Sequence, residues 1–241
     1  ETGATKATDP WIESPTGQAR LALRAGRDAP LCVHAFDDQV ELWSAAEPRP
    51  RGRWPLGPVA QLVALSTGCA VRSAGAVAFL SADGSRRTLV EAGALALGHD
   101  GDRLLVATGD SILELSTEGR ELESHARANL GVVALTRVDG TLAVALSDGA
   151  VALLLEPGQL GDERHLGRPT SSTPTSLLGG PPGTLVVGYG DGTVAMLDLN
   201  DGAILERGAL HGAAVHLMIH EGRLFGASDL GDSLSWSLDS Y

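Results

Sequence analysis

Aspartates set in turn-like segments are the residues best placed to do chemistry: Asp37, Asp38, Asp110, Asp148, Asp191, Asp229 and Asp232. A carboxylate in such a segment can accept hydrogen bonds from its own turn's amides. Brought onto one surface, the same carboxylates would meet a basic partner with a fast, salt-sensitive on-rate. Other chemistries find few residues. Asparagine occurs only at Asn129 and Asn200, which leaves a calcium cage short of amide ligands. The chain contains no nucleophile elbow, phosphate loop or HExxH segment. His211, His216 and His220 cluster in sequence. On a strand, however, His216 and His220 would stand ~13 Å apart, too far for one zinc with bonds of about 2 Å. No residue is therefore expected to be catalytic, cofactor-binding or metal-binding, and partner binding is assigned to the seven aspartates.

The elements that carry these residues follow from a repeat. The runs QVELWS, AVAFLS, SILELS, AVALLL, TVAMLD and SLSWSL alternate side chains at period two and recur roughly every 40 residues, anchored at Val40, Val77, Ile112, Val151, Val194 and Leu234. Each is preceded by a second apolar strand and by a third strand of small residues. Most are followed by a charged segment such as SRRTLVEA or GRELESHA. Asp-Gly pairs at 100–101, 139–140, 148–149, 191–192 and 201–202 fall between these runs, where glycine's positive φ suits a tight hairpin. Four antiparallel strands per unit predict an all-β, six-bladed β-propeller over residues 9–241, with a seven-bladed or incomplete propeller as the alternative. Residues 1–8 read as a tag or linker. The last unit ends after its third strand, so Pro10-Trp11-Ile12-Glu13-Ser14 is expected to supply the missing fourth and remove an open edge.

Cys32 and Cys69 each lie eight residues before the anchor of their unit, so they are expected at equivalent second-strand positions of neighbouring blades. Sheets stack ~10 Å apart, beyond disulfide reach. Two free thiols suit a reducing compartment, and the expected location is cytoplasmic.

Gly190-Asp191-Gly192-Thr193-Val194-Ala195-Met196-Leu197-Asp198 resembles the end of a WD repeat, with Leu197 in place of the family's Trp. Asp37-Asp38-Gln39-Val40-Glu41-Leu42-Trp43-Ser44 keeps the Trp and loses the Asp, and Ser147-Asp148-Gly149 keeps the turn. Leu210-His211-Gly212 is similar to the family's His-containing entry, with Trp236 downstream. The resemblance implies a propeller presenting loops to other proteins, and a His–Ser/Thr–Asp–Trp hydrogen-bond network that most of these blades lack the residues to complete. Asp198–Leu205 is also similar to a quinoprotein-type blade, in one unit only.

Lys+Arg 18 against Asp+Glu 30 gives a net charge of −12, which disfavours nucleic acid and anionic membranes as partners. No apolar run approaches the roughly 18 residues of a membrane span. The composition, with Lys6 the single lysine, matches a GC-rich bacterial coding bias. The expected function is a non-enzymatic interaction scaffold for a protein or basic peptide, without cofactor, within a larger bacterial protein or assembly. The alternative is a hydrolase or quinone-dependent dehydrogenase using the central channel. The polar stretch Gly167–Thr175 reads as a mobile surface insertion.

Overall fold

Strands with both faces covered account for the near-continuous apolar runs. The computed structural model describes residues 20–24, 31–35, 39–44, 49–65, 67–126, 131–154 and 163–238, and every regular element among them is a strand. The first sheet holds β1 (Arg20–Arg24), β2 (Leu31–Ala35), β3 (Gln39–Ser44) and β4 (Gly52–Pro55). The second holds β5 (Val59–Leu65), β6 (Gly68–Ser73), β7 (Ala76–Ser81) and β8 (Arg86–Val90). The third holds β9 (Ala96–Asp100), β10 (Arg103–Ala107), β11 (Ser111–Leu115) and β12 (Glu121–Ala126). The fourth holds β13 (Val132–Val138), β14 (Thr141–Leu146), β15 (Val151–Leu154) and β16 (Glu163–His165). The fifth holds β17 (Pro174–Gly179), β18 (Thr184–Tyr189), β19 (Thr193–Asp198) and β20 (Ile204–Ala209), and the sixth β21 (Ala214–His220), β22 (Arg223–Ser228) and β23 (Ser233–Ser237).

Each sheet is antiparallel and ordered as the chain runs. The first strand of every sheet contacts the first strand of the next, and β21 contacts β1. The sheets therefore close in a circle with their first strands innermost, which is a β-propeller. Among the described residues five sheets have four strands and the sixth has three. This corrects the expectation of six four-stranded blades: the strand assigned to complete the last one, residues 10–14, lies outside the described residues.

Period two explains how adjacent sheets adhere. On β10, Leu104 and Val106 join a cluster with Val63, Leu65 and Phe79 of the second sheet. Leu105 and Ala107 point the other way, into a cluster with Leu135, Leu142 and Val144 of the fourth. The middle strands β6, β10 and β14 are thus buried on both faces along most of their length, and β18 is buried at every position. The fourth strands form the rim; Ile204, Leu205, Glu206 and Arg207 of β20 are exposed. Each fully buried leucine contributes roughly 1.5–3 kcal/mol, and its loss to alanine costs more because the rigid stack cannot collapse around the void.

Hairpin turns agree with the Asp-Gly reading. Asp139 (φ 47) and Gly140 (φ 78) turn the chain from β13 to β14, and Glu221 (φ 47) and Gly222 (φ 70) from β21 to β22. Both residues at positive φ make these type I′ turns, whose twist matches the strands they join. Among the described residues no helix is long and apolar enough to cross a membrane.

Candidate functional site

The turns joining second and third strands carry the acidic residues. Asp110 lies between β10 and β11, Asp148 between β14 and β15, Asp191 between β18 and β19, and Asp229 and Asp232 between β22 and β23. These turns meet the segments entering the first strands: Ser147 N donates to Gly131 O, Gly190 N to Thr173 O and Asp229 N to Ala213 O. The five aspartates accordingly share one end of the ring, and all are exposed. The equivalent turn of the second sheet, Ala74-Gly75, carries no acid. Asp37 and Asp38 lie outside the described residues.

Each carboxylate is also tied down. Asp148 Oδ1 accepts from Ala150 N at 2.9 Å, and Asp191 Oδ1 from Thr193 N at 3.0 Å. Asp229 Oδ1 accepts from Ala213 N at 2.9 Å, and Asp232 from His211 N and Ser233 N. Asp110 accepts from the Thr108 hydroxyl at 2.9 Å. The stretch Gly167–Thr175 is laced to this end, which corrects its reading as a mobile insertion. Arg168 Nη2 donates to Asp148 O at 2.6 Å, and the Thr170 hydroxyl donates to Asp191 Oδ2 at 2.5 Å. Side chains spaced a half or a full repeat apart provided these anchors, so the local polarity of the stretch did not reveal them.

Two of these carboxylates titrate low. Amide hydrogen bonds from His211 and then Ser233 hold Asp232 below the ordinary aspartate range. Partial burial pushes Asp191 up, but the Thr170 hydroxyl and the Thr193 amide outweigh it, and the net displacement is downward. A carboxyl depressed in the folded state contributes stability above its unfolded pKa and loses it as pH falls through the folded one. The melting temperature is therefore expected to drop as pH falls below about 4. Asp232→Asn and Asp191→Asn should flatten that limb in thermal melts recorded from pH 6 to pH 2, and an unchanged limb would contradict the assignment.

A second constellation lies at the opposite end of the strands, between the third and fourth sheets. Glu114 on β11 pairs directly across from Glu123 on β12, and His125 follows two residues along the same face. Glu114 is wholly buried and the His125 side chain is 5% exposed. Arg137 of β13 forms an ion pair with Glu114 Oε1, and its Nε lies 3.4 Å from Asp100. Arg103 Nη1 is 3.5 Å from Glu114 Oε2. One oxygen each from Glu114 and Glu123 and one nitrogen of His125 lie within 4.8 Å of one another. The sequence did carry a signal, because Glu121, Glu123 and His125 alternate along one strand. Glu114 was hidden as the fourth residue of SILELS, one charged position within an otherwise apolar-rich strand.

The inner strands carry a bonded amide side chain, since β5 begins at Val59 and includes Gln61. Gln61 Oε1 accepts from Arg72 Nε at 3.0 Å and Leu97 N at 2.9 Å, while its Nε2 donates to Val133 O at 3.0 Å. One amide thus joins the inner strands of three sheets. Cys32 pairs with Trp43 and Cys69 with Leu80, both from the second strands of their sheets, as expected. Cys69 is free and buried, and burial pushes its thiol far up, so it is inert. The sixth sheet does not form the WD-type network: Asp232 accepts from the His211 backbone, the His211 side chain is exposed, and Trp236 Nε1 has no hydrogen-bond partner.

No family model matches the chain, and no curated protein matches it. Among solved structures it is similar to the computationally designed Ika8 protein, at 17% identity and a TM-score of 0.60 over 90% of this chain and 70% of that one. It is likewise similar to a protein of unknown function from Bacteroides caccae, at 18% identity and a TM-score of 0.63 over 79% of each chain. At these identities the likeness concerns the fold.

Proposed function

We propose that the chain is a non-enzymatic interaction platform whose acidic end receives a basic segment of another protein. One observation carries the reading: Asp110, Asp148, Asp191, Asp229 and Asp232 are exposed at one end of the ring, each anchored by hydrogen bonds. Anchored charges cost little ordering when a partner arrives, so complementarity is expressed mainly as on-rate and specificity. The net charge of −12 adds long-range steering of the same sign. Arg168 partly neutralises Asp148, and both oxygens of Asp191 and of Asp232 already accept hydrogen bonds, so Asp110 and Asp229 offer the freest acceptors.

The finer assignments belong to the same proposal. A WD-repeat-like origin is supported by Gly190–Asp198, whose Asp-Gly turn leads into β19 as the third strand of its sheet. Completion of the sixth blade by residues 10–14 would leave all the sheets four-stranded. A cytoplasmic location in a bacterial protein suits the free thiol of Cys69. The enzyme alternative draws on polar groups at the inner strands, but the Gln61 amide is already used by three structural bonds.

The test uses an oligoarginine peptide as probe. Asn at positions 110, 148, 191, 229 and 232 keeps a side-chain oxygen for each turn and removes only the charge. The unaltered chain is expected to bind the peptide with an affinity that falls steeply with salt, and the five-fold Asp→Asn variant to bind at least tenfold more weakly while melting cooperatively. Equal binding by both, or equal loss on neutralising the rim residues Glu91, Glu118 and Glu121, would overturn the proposal.

A further inference from the structure

Cross-strand acids of like charge repel, yet Glu114 and Glu123 stand directly opposite each other. The other strongly buried acid among the described residues, Glu41, shows what a satisfied carboxylate looks like here: Gln39 Nε2 and Trp43 Nε1 donate to it at 2.9 Å and 3.0 Å, and Arg53 Nε lies 2.8 Å away. His125 differs. Its side chain is 5% exposed, and its Nε2 has no hydrogen-bond partner. That nitrogen nevertheless points between two carboxylates, 3.5 Å from Glu114 Oε1 and 3.8 Å from Glu123 Oε1. Three carboxylates (Glu114, Glu123 and Asp100) face two guanidiniums (Arg103 and Arg137) around it. The balance is one negative charge in excess, with a buried lone-pair atom aimed at its source.

We propose that Glu114, Glu123 and His125 form a binding site for a divalent metal ion of the zinc class, set into the rim between the third and fourth sheets. Tetrahedral zinc with bonds of about 2.0–2.1 Å places its ligand atoms about 3.4 Å apart. The separations of 3.5 Å and 3.8 Å from His125 lie close to this, and the three ligand atoms, all within 4.8 Å of one another, must draw together around the ion. A mixed imidazole and carboxylate set favours zinc over calcium or magnesium, which take oxygen ligands. Glu123 is 47% exposed, so an ion can enter from solvent and a water can complete the coordination. A carboxylate has about four lone-pair positions. Arg103 and Arg137 therefore act as outer partners that fix Glu114 in place, as such groups do around metal ligands. Their charge also weakens the site, so zinc is expected to bind reversibly and not as a permanent structural ion. Bound there, it would join β11 and β12 at the edge of one blade, beside the arginine supplied by the next.

Titration of the whole, chelator-treated chain with zinc chloride, followed by calorimetry and thermal melting, tests the site. One zinc per chain and a raised melting temperature are expected. Glu123→Gln, on the exposed rim, should leave the circular dichroism spectrum unchanged and weaken zinc at least tenfold. His125→Gln should do the same, and His211→Ala, at an exposed turn, should not. Cobalt(II) should give visible absorption bands of a four-coordinate ion that Glu123→Gln abolishes. Absence of uptake would overturn the proposal. Uptake indifferent to both Glu123→Gln and His125→Gln would overturn it too, by placing the ion on exposed histidines.

Discussion

Gly192→Ala is expected to cost about 3–5 kcal/mol, the range reserved for changes with no local escape. Gly192 follows Asp191 in the β18–β19 turn with φ at +86. A methyl there would fall on the carbonyl oxygen of Leu210 and within 2.6 Å of Gly212 O. That crowding is built in, because Leu210 N donates to Gly192 O at 2.8 Å and draws the exit of β20 against the turn. Gly140→Ala is the control. Its φ is +78, yet nothing lies within 4 Å of the added carbon, so only the left-handed backbone penalty of about 1–2 kcal/mol applies. For a chain of this size 1 kcal/mol shifts the melting temperature by roughly 2–4 °C. Gly192→Ala should melt roughly 10 °C lower and Gly140→Ala only a few degrees lower. Equal losses in parallel thermal melts would show that the turn yields and that the close approach does not limit stability.

Arg137→Met is the second large effect. Arg137 reaches from β13 of the fourth sheet to the wholly buried Glu114 of the third, and its Nη1 donates to Gly140 O at 3.0 Å. Methionine keeps most of the apolar stem and leaves a buried carboxylate facing only the exposed Arg103 and His125. Breaking one side of a buried pair costs about 3–5 kcal/mol, whereas replacing both sides with apolar groups is often neutral. The double variant Arg137→Met/Glu114→Leu is therefore expected to recover most of the loss in urea unfolding measured with chelator present. A single-variant loss below about 1 kcal/mol would show that Arg103 and His125 already satisfy Glu114, and that the contact between sheets rests on the apolar clusters alone.

The strands were legible because their causes are local. Alternation at period two, repeated roughly every 40 residues, identified TVAMLD and SILELS as third strands. Asp-Gly pairs marked the hairpins through glycine's tolerance of positive φ. The equivalence of Cys32 and Cys69 followed from spacing alone, and both residues sit on second strands. Roles that depend on a neighbouring sheet were not legible. Gln61 was missed because its strand begins at Val59, four residues ahead of the small-residue run that starts at Val63, and because its partners Leu97 and Val133 belong to other units. Arg168 and Thr170 looked like a free loop because the aspartates they hold, Asp148 and Asp191, are about 20 residues away in each direction. His125 was not singled out because its significance requires Glu114, and Glu114 reads as one more position in a buried run.

The amino-acid sequence by itself determined the repeating unit, its strand order, its turn chemistry and the acidic character of one set of turns. Each of these depends on residues within one hairpin of each other, where backbone sterics and side-chain period decide the outcome. Tertiary structure alone decided which faces meet: Glu114 with Arg137, Gln61 across three inner strands, and β21 against β1 to close the circle. Those pairings are set by the twist and tilt that each sheet inherits from its neighbour. That geometry accumulates around the whole ring, and no single repeat contains it.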